Sequence, residues 1–114
     1  QLKGVISIIT IAELCVGYYN VNKPNEKDEY ISNLYSQDNY IIVNLERIIA
    51  DQSAKIRSET NLRLPDCIIV AASLHEKASL LISNDEKFKR AENLIKVCTS
   101  EEFCKNYLSS NTES

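Results

Sequence analysis

Apolar positions along the chain recur at two spacings. Val5 to Ile9, Tyr40 to Val43, Leu80 to Ile82 and Leu94 to Val97 are short, nearly continuous apolar runs, which predict strands buried on both faces. Between them the spacing lengthens to that of a helix. Thr10 opens a helical stretch through Ala12, Leu14, Cys15 and Tyr18, and Ile31, Leu34 and Tyr35 fall at i, i+3, i+4 on a second helix running to about Gln37. Asn20 to Asn25, with Pro24, is the expected loop between the two. Asn44 is the expected N-cap of a third helix, with Leu45, Ile48, Ile49, Gln52 and Ile56 on one stripe and an end near Thr60 and Asn61. Pro65 starts a fourth, which turns Ile68, Ile69 and Ala72 inward. Asn84 and Asp85 begin a turn, and Thr99 with Glu102 forms a capping-box pattern for a last helix to Leu108. Residues 109–114 are expected to fray.

Strands alternating with helices predict an α/β fold, three layers deep, with a central parallel sheet. At 114 residues, 44% hydrophobic, the chain suits one domain and is too short for two. No stretch approaches the roughly 20 apolar residues of a membrane span, and no basic segment followed by an apolar run opens the chain. Four cysteines without CxxC spacing sit in apolar or helical segments and read as small hydrophobes, so a reducing cytoplasm is the expected setting. The net charge of −3 excludes a broadly basic nucleic-acid surface. A polyanion must be met locally, by Arg57 with Arg63 or by Lys87 with Lys89 and Arg90, or through bound cations.

Three acids stand just after strands or at helix starts: Glu13, Asp66 and Asp85. In an open parallel sheet these positions share one edge, the edge at which such folds bind ligands. Each acid alone has a plain structural role. Thr10 with Glu13 makes a capping box, Asp66 suits the positive end of a helix, and Asp85 suits a turn. His75, the only histidine, lies at the far end of the Asp66 helix and reads as a favourable charge there. The tyrosines at helical spacing read as packing groups.

Taken together, Ile9-Thr10-Ile11-Ala12-Glu13-Leu14, then Leu64-Pro65-Asp66-Cys67-Ile68-Ile69-Val70-Ala71-Ala72, then Leu81-Ile82-Ser83-Asn84-Asp85 with Phe88, resemble the PIN domain family in order and spacing. The resemblance, nearest to the VapC-like toxin ribonucleases, implies an endoribonuclease in which Glu13, Asp66 and Asp85 are the catalytic, metal-binding acids, supported by Thr10, Ser83 and Asn84. It implies Mg²⁺ or Mn²⁺ as cofactor, an RNA substrate with Arg63 and Lys87 as candidate contacts, a small antitoxin protein as partner and a homodimer. Two carboxylates about 4 Å apart repel by roughly 4 kcal/mol at an effective dielectric of 20, so clustered acids favour a cation between them. A PIN-like binding module without catalysis is the alternative. A phospho-receiver domain ranks last, for want of an acidic pair after the first strand.

The resemblance also implies a further strand, carrying an aspartate and lying between the strands at Val5 to Ile9 and Leu80 to Ile82. The chain starts at Gln1, so residues 1–108 are expected to form an N-terminally truncated domain, lacking a unit on the order of 30 residues. Either a longer gene product or a second chain would fill that gap, and the 114 residues alone are expected to bind metal weakly.

Overall fold

The computed structural model describes residues 2–108. The expected tail at 109–114 lies outside the described residues. The elements are β1 (Gly4–Ser7), α1 (Ile8–Asn20), α2 (Pro24–Tyr35), β2 (Tyr40–Val43), α3 (Arg47–Thr60), α4 (Leu64–His75), β3 (Leu80–Ile82), a 3₁₀ segment (Glu86–Ala91), β4 (Lys96–Cys98) and α5 (Ser100–Phe103), which widens into a π turn at Cys104–Leu108. This is the expected mixed α/β fold with parallel strands. β1 pairs with β2, Gly4 opposite Tyr40 and Ser7 opposite Val43, and β3 pairs with β4, Leu80 opposite Lys96 and Ile82 opposite Cys98.

Pairing stops there among the described residues, so the parallel strands form two two-stranded halves. The strand expected between β1 and β3 is not among the described residues. What joins the halves is α4, which packs against both β1 and β3. Val43 of β2, Leu81 of β3 and Ile68, Val70, Ala71 and Ala72 of α4 belong to one apolar cluster, with Val5, Ile41 and Val97 packed against it. Two strands rarely hold together in water without such a covering helix.

Several boundaries differ from the pattern, each for a local reason. β1 ends at Ser7, not Ile9, because the Ser7 hydroxyl accepts the Ile9 amide at 3.1 Å and caps α1 ahead of Thr10. The Thr10 and Glu13 pair is therefore inside the helix rather than at its cap. α2 begins at Pro24, inside the expected loop, since proline supplies a helical φ at a position whose missing N–H costs nothing. α3 begins after Glu46: the Asn44 carbonyl accepts the Glu46 amide at 3.1 Å in a turn, which leaves Leu45 and Ile48 exposed. Its buried stripe is Ile49, Ser53 and Ile56. Ser53 is tolerated there because its hydroxyl donates to the Ile49 carbonyl at 2.6 Å. β4 starts at Lys96 rather than Leu94, since the Leu94 and Ile95 amides both bond the Ala91 carbonyl and close the preceding 3₁₀ segment. The capping box of Thr99 with Glu102 forms as expected.

The connection from α3 to α4 positions the site. Asn61 takes the left-handed conformation, φ 59°, and ends α3. Leu62 then plunges into the core, fully buried, while the Arg57 guanidinium donates to its carbonyl at 2.6 Å and to the Asn61 side chain at 3.1 Å. Arg90 reaches the Asn61 carbonyl at 3.4 Å from the other half of the molecule. The loop that launches α4 is thus held from both sides.

Candidate active site

Asp66 lies in the first turn of α4, where its charge meets the positive end of the helix, and it is only 4% exposed. A carboxylate buried to that degree requires a partner. Arg63, in extended conformation one residue before the helix, supplies it: Nε donates to Oδ2 at 3.2 Å and Nη2 to Oδ1 at 3.4 Å, a two-pronged pair. The arginine's side chain is 62% exposed against 5% for the aspartate's, so the pair bridges core and solvent.

Asp85 caps the 3₁₀ segment. Its Oδ1 accepts the Lys87 amide at 3.0 Å, its own amide donates to the Ser83 hydroxyl at 3.1 Å, and the Lys87 ammonium stands 4.0 Å from Oδ2. Ser83 therefore fixes Asp85 directly. The Asn84 side-chain oxygen accepts the Ser100 amide and hydroxyl at 3.1 and 3.2 Å, which ties the loop after β3 to the start of α5. Glu13 is exposed on α1, and Thr10 lies half-buried one turn earlier.

The three acids come from three separate elements, and their charges converge on one group. The Arg63 guanidinium is held above its ordinary pKa first by the hydrogen bond and charge of Asp66, then by the charges of Asp85 and Glu13. Of the three acids, Asp66 alone touches Arg63, while Asp85 and Glu13 act on it only through their charge. The three do not close on a common centre: among the described residues no three Asp, Glu, His or Cys side chains stand close enough to hold one ion. In chemistry the donors still suit a hard dication, being carboxylates alone with neither thiol nor imidazole. His75 is elsewhere, beside Asn44, Glu46 and Glu76 in a separate pocket beyond the end of β2.

The sequence pattern marked Arg63 and Lys87 only as contacts for RNA. Both also bond or approach the acids, Arg63 with Asp66 and Lys87 with Asp85. The i, i+3 spacing of Arg63 and Asp66 across a helix start was the available signal. On the outer side of Glu13, the groove between Leu14, Gly17, Tyr18 and Val21 is almost wholly apolar.

A model of the PIN domain matches residues 2–94. Among solved structures, a toxin-antitoxin complex from Klebsiella pneumoniae is similar, with 27% identity over 87% of this chain and 75% of that one and a TM-score of 0.67. VapBC2 from Rickettsia felis, bound to a DNA fragment from its promoter, shares the fold at 24% identity, covering 85% of this chain and 74% of that one with a TM-score of 0.66. No curated protein matches the chain.

Proposed function

Since the chain belongs to the PIN domain family, we propose that it is a metal-dependent endoribonuclease, the VapC-like toxin of a toxin-antitoxin pair acting in the cytoplasm. The observation that carries this reading is the buried carboxylate of Asp66 in the first turn of α4, paired with Arg63, in a chain whose Glu13 and Asp85 add their charges at the same guanidinium.

Asp66 is the anchoring ligand, buried and oriented by the first turn of α4. Asp85, fixed by Ser83 and the Lys87 amide, and Glu13, on the exposed side of α1, complete the set from the rim. Mg²⁺ or Mn²⁺ bound by these acids supplies charge neutralisation at the RNA phosphate and lowers the pKa of the attacking water. Arg63 and Lys87, both exposed, are the side chains proposed to meet neighbouring phosphates.

The kinship with a toxin-antitoxin complex supports an antitoxin as partner. So does the surface beside Glu13, where Val16, Tyr19 and Val21 are each more than half exposed on an apolar helix. A homodimer would cover part of the same apolar surface. The second reading, a PIN-like binding module without catalysis, draws on the open spacing of the acids, which as they stand do not close round an ion.

Cleavage of an RNA panel in Mg²⁺ or Mn²⁺ separates the two. The nuclease reading expects metal-dependent cutting that Asp66→Asn reduces by about 100-fold or more, with the far-UV circular dichroism unchanged. RNA binding without cutting, in the wild type and the variant alike, would establish the binding module.

A further inference from the structure

We propose that Arg63 is the resident cation of the acidic site: its guanidinium holds the Asp66 carboxylate until a divalent ion displaces it, so ion binding and release of Arg63 are one exchange. The inference rests on the metal-dependent reading above and adds to it a regulatory step within this chain.

Three features of the pair carry it. First, both oxygens of Asp66 are engaged by the arginine fork, at 3.2 and 3.4 Å, on a carboxylate that water hardly reaches. Second, the arginine is built to leave. Its backbone is extended, outside the helix, and its side chain is 62% exposed, so it can swing into solvent without disturbing α4 or the core. Third, the charges of Asp85 and Glu13 add to that of Asp66 in favouring a cation at this position.

A dication on Asp66 would stand within a few ångströms of the guanidinium and be repelled by it, so the two compete for one carboxylate. In the ion-free state Arg63 spares the protein a buried charge without a partner. In the ion-bound state the same side chain is released at the rim, beside Lys87, where an RNA phosphate can take it. Ion and RNA then favour each other's binding, because each relieves a cost the other would face.

The test is Mn²⁺ titration of the 114-residue chain and its Arg63→Ala and Arg63→Lys variants, by calorimetry and by the electron paramagnetic resonance signal of unbound Mn²⁺. Exchange predicts that Arg63→Ala binds Mn²⁺ roughly 5-fold or more tightly than wild type, the lower end of typical coupling between competing sites. Arg63→Lys, which keeps the charge but loses the fork, falls between the two. Mn²⁺ also raises the melting temperature of Arg63→Ala more than that of wild type. Equal or weaker Mn²⁺ binding by both variants, while the wild type binds, would make Arg63 a positioning group and overturn the exchange with the nuclease reading intact. Binding by none of the three proteins would overturn both. If Arg63→Ala does not fold, the Arg63→Lys comparison alone decides in the same direction.

Discussion

α1 and α4 are nearly equal in length and similar in apolar content, yet the chain treats them in opposite ways. In α4, seven residues from Asp66 to Ser73 are buried; in α1, only Ile11 is. The reason is position. α4 packs against α3, β1 and β3 and is the element that joins the two strand pairs, whereas α1 meets α2, α4 and β1 along one side only. Val16, Tyr19 and Val21 are left 55%, 58% and 61% exposed. A helix that is apolar all round is normally covered all round. The contrast teaches that hydropathy records how much cover a helix needs and is silent on whether its own chain provides it.

The comparison breaks most visibly in stability. Ile68→Ala, in the interior of α4, is expected to cost about 2 to 4 kcal/mol of unfolding free energy, from lost burial and the cavity left behind. Val16→Ala on α1 is expected to stay within about 0.5 kcal/mol, because the side chain it shortens already faces water. Urea unfolding of the purified chain measures both. A cost above about 1 kcal/mol for Val16→Ala would mean that α1 is covered in solution, by a second copy or by rearrangement, and that the two helices are less different than they look.

Gly17 gives a smaller and opposite effect. A Cβ built there meets nothing within 4 Å, and the residue sits in the middle of α1 with ordinary helical backbone. Gly17→Ala is therefore expected to stabilise the chain by roughly 0.5 to 1 kcal/mol, the usual gain of alanine over glycine in an exposed helix. The open groove beside it, between Leu14, Tyr18 and Val21, is also where the proposed antitoxin would approach. Gly17→Trp should accordingly leave the melting temperature of the chain nearly unchanged and weaken its complex with the antitoxin, a result that equal pull-down by both forms would contradict.

Most of this architecture is legible in the sequence, and the parts that are not share a cause. Continuous apolar runs identify β2 at Tyr40–Val43 and β3 at Leu80–Ile82 to the residue because polar residues bound each run, although Tyr40 and Ile82 are exposed and the strands are not buried on both faces as expected. Thr99 with Glu102 is read correctly because a capping box is local. Errors arise where two local signals compete. Ser7 and Thr10 both make good caps, and the earlier one wins by ending β1 at the length of its partner β2. Leu45 and Ile48 carry helical spacing, but Leu45 lies in the turn before α3 and Ile48 on the exposed side of its first turn, which only the tertiary fold decides. At the site, Glu13, Asp66 and Asp85 are legible as acids near strand ends, whereas the strength of the Arg63 and Asp66 pair, spaced i, i+3, is not. It depends on the depth to which Asp66 sinks, and depth belongs to packing rather than to spacing.

Thiol chemistry sharpens the contrast at its finest scale. Cys67, in α4, is fully buried, and that burial raises its thiol above the ordinary value of about 9, with a bond from Sγ toward the Leu62 carbonyl at 3.5 Å. Cys15, in α1, is only half-buried. A group whose folded pKa lies above its unfolded one favours the folded state at low pH. Its contribution is complete below the unfolded value and is lost as pH rises through the folded one, because only the unfolded chain ionises in between. Stability should therefore decline above about pH 9 in the wild type and decline less in Cys67→Ala, the two urea midpoints running parallel below about pH 8. Cys98, also buried with a raised thiol, adds to the decline in both proteins and so cancels from their difference. Were Cys67→Ala instead to decline with pH as steeply as the wild type, α4 would not hold its cysteine away from water, and the distinction between a helix covered by its own chain and one left open would not survive.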